Sequence, residues 1–428
     1  MYDWTLAAIA ALLLGFAALS GRLSKTPVTA AIFFVSLGYA VGGHGLGLIG
    51  EHPGESAIRG LAEATLTVVL FADASRIDAR ALRAEYLLPV RLLGIGLPLT
   101  IAAGGLIAAL MFGGLSLPEA LLVAVVLAPT DAALGQAVVT DPRLASRVRQ
   151  GLNIESGLND GICVPLLFIL LAVAEADAGE KTHIGALRLV AEAIGYGILG
   201  GVVAGAIAAL VLGRGRRAGF VDRLWVQVVP VAAAALAYGL AAPLGGSGFI
   251  AAFVAGLVFG VLRRGDGGDD IDLAEQVGDL LNGATFILFG AVLLGPTLDA
   301  LTWRIAVYAV LSLTVIRMLP VAIALLGTHA RAPTAGFLGW FGPRGLASIV
   351  FAILIVEDSK LPATMTILTI TFATVALSVY AHGLSAQALT NRYADWYHGH
   401  PAHRRPAMES VPVPSQRWRR TPAARSST

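Results

Sequence analysis

The chain has 428 residues, of which 56% are hydrophobic and only 14% charged, with a formal net charge of +2. Soluble globular domains carry about 25% charged residues, so the composition excludes an ordinary soluble enzyme and predicts an all-α polytopic membrane protein in contact with lipid, with no nucleic-acid partner. The single cysteine, Cys163, excludes a disulfide framework and a thiolate metal site, and is expected to be a small buried apolar residue.

A helix needs about 20 apolar residues to cross the hydrocarbon core, and thirteen stretches are candidates. The first, 3–20, has no basic residue before it and no A-x-A site after it, which argues for a retained helix with an outer N-terminus rather than a signal peptide. Spans 28–49, 58–75 and 86–111 follow, with His44 and Glu51 expected to be solvated at the outer rim. Span five, 117–140, contains "LAPTDAALGQ". Pro129 has no N–H to give and biases Ala128 away from helical geometry, so the helix should break here with Thr130 and Asp131 at the break. Span six, 151–174, opens on "GLNIESGLND", which sets Glu155, Asn159 and Asp160 before an apolar run. Span seven, 187–212, has Gly197, Gly201 and Gly205 four apart, a spacing that permits close helix contact within the chain or between two copies. Spans 225–242, 247–262, 275–298 and 304–327 lead to span twelve, 335–357. Its "GWFGPRGLAS" puts Gly342, Pro343 and Gly345 around Arg344, so a second break is expected. Span thirteen, 363–389, closes the transmembrane unit of residues 1–390. The tail, 391–428, is rich in Pro, Ser and Arg and is expected to be a disordered cytoplasmic segment, with "RWRR" at 417–420 suited to anionic lipid.

The positive charges test this count. With the N-terminus outside, 22 of the 30 Lys and Arg residues fall on the inner side, five fall outside, and Arg91, Arg317 and Arg344 lie within spans. That bias predicts an inner-membrane protein with a cytoplasmic C-terminus. The interrupted spans, five and twelve, are seven apart, an offset that reverses direction. The chain therefore reads as two inverted six-helix repeats, about 3–174 and 225–389, joined by the helix at 187–212.

Polar groups at membrane depth are costly and usually face a cavity or a partner. Asp131, Asp160, Arg317 and Arg344 all fall near mid-span, which suggests one central site. Ser156 and Asp160 share a helix face, as do Glu155 and Asn159. Ser156 and Asp160 can thus converge with Thr130 and Asp131 into an oxygen-rich cluster, suited to a hard cation. Too few carboxylates are present for a tight divalent cage, which leaves a monovalent ion or a proton. Asp160 could hold either one but not both, and that competition is sufficient for exchange. Glu155 is expected to neutralise Arg317, because an unpaired buried charge is costly. Two other readings use different residues or chemistry. An intramembrane serine protease would pair Ser247 with His382, but leaves the buried charges unexplained. An ion channel would need rings of pore-lining groups.

The segments "APTDAALG", "DPRLASRVRQGLNIESGLNDG" and "GPRGLAS" resemble the NhaP-type sodium/proton antiporters, relatives of the eukaryotic sodium/proton exchangers. The likeness extends over about residues 3–390, and "GSGFIAAFVAGLVFG" also looks like a family helix. The resemblance implies a non-enzymatic transporter that exchanges a monovalent cation, sodium first and potassium or lithium as alternatives, for a proton, with no cofactor. It implies a homodimer working by elevator-like movement of a core domain. By position it assigns cation and proton binding to Asp160, ligand or supporting roles to Thr130, Ser156 and Asp131, and a structural ion pair to Glu155 and Arg317. Arg344 would stand beside the crossing helices. Asn159, where other members carry a second aspartate, resembles the electroneutral type. Members often carry an acidic ligand on the third helix; Asp73 in "LFADASRID" is the nearest candidate.

Overall fold

The computed structural model describes residues 4–50, 55–77, 86–131, 133–179, 182–263, 270–358, 361–400 and 407–410. Regular structure among them is entirely helical. Helix α1 is Thr5–Leu23, α2 Ala30–Val41, α3 Glu55–Ser75, and α4 Leu87–Met111 with a π turn at Leu92–Gly96. Then come α5 (Leu117–Val126), the short α6 (Gln136–Val139), α7 (Ser146–Asp177), α8 (His183–Arg217), α9 (Arg223–Ala241) and α10 (Gly248–Leu262). Helix α11 is Asp272–Asp299 with a π turn at Phe289–Leu293. The last described helices are α12 (Trp303–Leu313), α13 (Val315–Ala324), α14 (Ala332–Trp340), α15 (Leu346–Asp358), α16 (Thr364–His398) and α17 (Ala407–Ser410).

Helix starts are set by short polar side chains that take up otherwise orphaned N–H groups. Thr29, Thr182, Ser247 and Thr302 each accept from a backbone N–H of the first turn, and Ser116 forms a capping box with Glu119. Eight helices among the described residues are long and apolar enough to cross a membrane by length and composition, with shorter apolar helices between them. Large apolar side chains such as Leu6, Leu110, Ile184 and Leu199 face outward, an exposure suited to lipid and not to water.

The helices pack as two groups. One holds α1–α3 and α8–α11; the other holds α4–α7 and α12–α16. Glycines seat the first group: Gly201 and Gly205 lie so close to α10 that a Cβ on either would fall 2.5 Å from the carbonyl oxygen of Ala251 or Ala255. The small-residue stripe therefore serves packing within the chain.

The structure departs from the sequence expectations in several places: the helix of the predicted span 28–49 ends at Val41, and that of 304–327 is interrupted at Thr314. Helix α16 runs past residue 390 to His398 because Tyr393, Ala394 and Tyr397 remain buried beyond the predicted end. Met408 and Glu409, expected in a disordered tail, are buried at 3% and 1% exposure; the rest of the tail from 411, with "RWRR", lies outside the described residues. His44 is not simply solvated: its Nε2 lies 2.9 Å from Asp299 Oδ2, while Glu51 lies outside the described residues.

Candidate functional site

Two helices are interrupted where the prolines fall. After α5 the backbone is non-helical from Ala128 through Asp131, and α6 resumes at Gln136. After α14 it is non-helical from Phe341 to Gly345, and α15 starts at Leu346. Each break exposes backbone groups that a continuous helix would satisfy. The breaks satisfy each other. The Asp131 N–H donates to the carbonyl of Pro343 at 2.8 Å. Asp131 Oδ2 accepts the Leu346 N–H at 3.1 Å, while Oδ1 accepts from Ala133 and Leu134 at 2.8 and 3.3 Å. In return, Arg344 Nη1 donates to the carbonyls of Ala128 and Pro129, and the Arg344 N–H donates to Ser378 Oγ at 2.7 Å. An anion thus caps the positive start of α15 and a cation caps the negative end of α5, the charge order that helix dipoles favour. Gly345 is required at this crossing, because a Cβ there would collide with the Asp131 carboxylate.

Helix α7 lies against the first break. Ser156 Oγ donates to the Thr130 carbonyl, and Asn159 Nδ2 donates to Thr130 Oγ1 at 2.7 Å. Glu155 turns to another partner: its two carboxylate oxygens meet Arg317 Nη1 and Nη2 at 2.5 and 2.8 Å, with both side chains 2% exposed. Asp160 differs from all of these. It is only 9% exposed, and its Oδ1 is buried with no hydrogen-bond partner among the described residues.

Asp160 opens onto a cavity of about 50 Å3 between the two helix groups. Ser156, Asp131, Asn153 and Leu346 line it from one group; Asp73, Arg76, Asp279 and Asn282 line it from the other. A smaller cavity lined by Thr130, Asp131, Ser156 and Pro343 adjoins the breaks. The sequence candidates Asp160, Thr130, Ser156, Asp131, Asn159 and Asp73 are therefore gathered at one crossing or on its cavity. Among the described residues no three His, Cys, Asp or Glu side chains form a metal-holding cluster.

Asp279 and Asn282 were not among the sequence candidates. Their signal is a polar stripe at helical spacing, Glu275, Asp279, Asn282 and Thr285, within "EQVGDLLNGAT".

The protease pairing fails. Ser247 Oγ is taken up in capping α10 at Ile250, and the ring nitrogens of His382 bond Ser378 and the Trp340 carbonyl. Neither side chain's bonds involve the other.

Two interrupted helices crossing at a buried carboxylate, beside a polar cavity between two helix groups, define a secondary transporter core. The comparison with known families agrees. The profile described as "Sodium/hydrogen exchanger, transmembrane" matches residues 8–392, and the chain belongs to that family. Its relatives include the Na(+)/H(+) antiporter NhaP of Pseudomonas aeruginosa, 28% identical over 363 residues that cover 78% of this chain and 81% of that protein. The K(+)/H(+) antiporter NhaP of Alkalimonas amylolytica is 27% identical over 75% of this chain, an alignment that spans only 55% of that longer protein. The solved structure of the sodium proton antiporter MjNhaP1 from Methanocaldococcus jannaschii at pH 8 shares the fold, with a TM-score of 0.75, 20% identity, and coverage of 91% of this chain and 98% of that one.

Proposed function

We propose that this chain is a secondary active transporter that exchanges a monovalent cation for a proton, one for one, across the cytoplasmic membrane. Sodium is the first candidate and potassium the second, a pairing that matches the printed activities of the Pseudomonas and Alkalimonas relatives. The reading rests on one observation: the Asp160 carboxylate is buried at a cavity wall with an oxygen that has no hydrogen-bond partner among the described residues. Burying such a group bare is costly, so it takes up either a proton or a cation. The two compete for the same oxygen, and competition at one carboxylate couples their movements. The neighbouring charges do not enter the exchange. Glu155 and Arg317 neutralise each other, and Asp131 is held by backbone N–H groups. Thr130 Oγ1 and Ser156 Oγ supply further oxygens beside the break, and Asn159, being uncharged, leaves Asp160 as the exchangeable charge.

Alternating access follows if the group bearing α7 and the two breaks moves against the group bearing α3 and α11. The reciprocal Asp131 and Arg344 bonds let the broken helices move as one body. In the membrane the chain makes thirteen crossings as inverted repeats, with its N-terminus outside and C-terminus inside, and it works as a homodimer. The charge distribution and the family likeness support these points.

The test is reconstitution in liposomes with a trapped pH dye, adding sodium, potassium and lithium in turn. The wild-type protein should move protons on cation addition, and Asp160→Asn should abolish the movement while keeping its elution profile in detergent. Undiminished exchange in that variant would refute the assignment.

A further inference from the structure

The failed protease pairing leaves His382 without a task, although an imidazole buried at 1% exposure within a span is costly to keep. Its partners lie at the second break. Nε2 is 2.9 Å from the carbonyl oxygen of Trp340, the last residue of α14, and Nδ1 is 3.1 Å from Ser378 Oγ, one turn earlier on α16. A carbonyl only accepts, so Nε2 carries the ring hydrogen. In that tautomer the neutral ring accepts at Nδ1, and the donor is the Ser378 hydroxyl. The Ser378 carbonyl also lies 3.0 Å from Nδ1 but has no hydrogen to offer. Ser378 Oγ accepts in turn the Arg344 N–H at 2.7 Å.

These bonds bracket the break. The Trp340 carbonyl stands at its entry and the Arg344 N–H at its exit, and an unbroken helix would have satisfied both. The Trp340 carbonyl also takes the Gly342 N–H at 2.8 Å, in a tight turn at Phe341. The rings of Trp340 and His382 pack with centroids 4.9 Å apart, and Trp340 Nε1 donates to Ser385 Oγ at 3.0 Å. On the exit side the bonds continue towards the ion. Arg344 Nη1 donates to the carbonyls of Ala128 and Pro129. The next residue, Thr130, presents its carbonyl to Ser156 Oγ and its Oγ1 to Asn159. Thr130 and Ser156 supply the oxygens beside Asp160. Neither His382 nor Ser378 lines the two cavities described above, so they act through the break and not on the ion.

We propose that His382, through Ser378, is a positioning residue that fixes the spacing of the oxygens around Asp160, and with it the affinity of the site and its preference among monovalent cations. The inference rests on the exchange reading above. The Asp160 charge attracts any cation, whereas oxygens held at set spacing and number discriminate among them. Loosening the bracket leaves the charge in place and blurs the spacing. The effect therefore falls on affinity and selectivity and not on the maximal rate.

The experiment measures initial exchange rates in proteoliposomes with a trapped pH dye, against the concentration of sodium, potassium and lithium in turn. His382→Phe keeps a ring of similar size and loses both bonds. Its half-saturating concentration for the preferred cation should rise on the order of tenfold, the low end of what loss of an outer-shell partner costs a metal site. The spread of half-saturating concentrations among the three cations should narrow, with the maximal rate within about twofold of wild type. His382→Gln keeps one donor and one acceptor on neighbouring atoms and should hold affinity and spread within about twofold of wild type. Unchanged affinity and spread in His382→Phe, a fall in its maximal rate alone, or equal losses in His382→Gln and His382→Phe would each overturn the assignment. If His382→Phe fails to fold, Ser378→Ala carries the test: it keeps the imidazole and removes the link to Arg344, and should shift affinity and spread in the same direction by about threefold. Wild-type values in Ser378→Ala would likewise overturn it. The exchange reading is tested separately, since loss of exchange in Asp160→Asn supports it whatever the His382 variants do.

Discussion

The Glu155–Arg317 pair should behave as a buried unit whose halves cannot be removed singly. Both side chains are 2% exposed, and two N···O contacts of 2.5 and 2.8 Å join them. Glu155→Gln leaves the Arg317 guanidinium charged with an amide oxygen in place of a carboxylate. Breaking a buried pair from one side costs about 3–5 kcal/mol. Because the amide can still accept one hydrogen bond, the lower figure applies, about 3 kcal/mol, which is roughly a hundredfold in the unfolding constant at 1.4 kcal/mol per decade. Glu155→Leu with Arg317→Met removes both charges and fills most of the volume, so the double variant should recover much of the loss. A double-mutant cycle of the Leu and Met substitutions, read by reversible SDS unfolding in bicelles with tryptophan fluorescence, should give a coupling of at least about 2 kcal/mol, within the span known for contacting residues. If Glu155→Gln unfolds with wild type, or the double variant is less stable than either single change, the pair is not the neutralising element assigned here.

Asp131→Asn replaces one of two accepting oxygens with a donor facing a backbone N–H, so one cap at the crossing is lost. Stability in the same unfolding assay should fall by about 1–2 kcal/mol; an unchanged protein would mean the crossing does not depend on that carboxylate. Gly201→Val sets a branched side chain against the Ala251 carbonyl, where even a Cβ would lie 2.5 Å away, and should cost about 1–3 kcal/mol by overpacking, measured the same way. In the loop before α7, the Arg143 side chain holds the Asp141 carboxyl below its ordinary value of 3.8. A group with a depressed folded-state pKa contributes stability that is present above its unfolded value and lost as pH falls through the folded value. Hydrogen-exchange protection of the Arg143 amide, which donates to Asp141 Oδ1 at 2.9 Å, should therefore be equal at pH 8 and pH 5, and reduced at both in Asp141→Ala.

Much of this architecture is legible in the sequence because membrane depth makes it expensive to hide mistakes. Apolar runs of span length must be helices, and the prolines at 129 and 343 leave backbone groups that only a break can accommodate. Both breaks lie where these residues stand. The placement of Glu155 against Arg317 followed from the cost of a lone buried charge. What was not legible came from long-range packing. The continuation of α16 to His398 depends on Tyr393 and Tyr397 finding a cluster with Met408 and with Phe337, which lies far away in the chain. Asp73 lies near the end of its predicted span, where spacing alone does not aim it inward, and packing sets it on the cavity wall. Asp279 and Asn282 sit inside a segment with ordinary helical spacing, and only the packing of α11 against α3 sets them on the cavity lining.

Asp131 and Asp160 are both acidic groups at the same crossing, and their bonding separates their roles. Asp131 accepts three backbone N–H groups, from Ala133, Leu134 and Leu346. Those donors are fixed by the two breaks and remain when an ion departs, so the Asp131 charge is balanced in every state. Among the described residues no such donor meets Asp160 Oδ1, so on the proposed mechanism the loss of its ion must be made good at once by another. On the proposed mechanism this difference sets the stoichiometry: one group, one exchangeable positive charge. Supplying Asp160 with a permanent donor would remove the need. A substitution that placed an amide N–H against it, such as Ser156→Asn, should leave the fold intact, depress cation affinity and proton competition together, and leave a slow carrier. If Ser156→Asn kept wild-type affinity for both, the unpartnered oxygen would not be the seat of exchange.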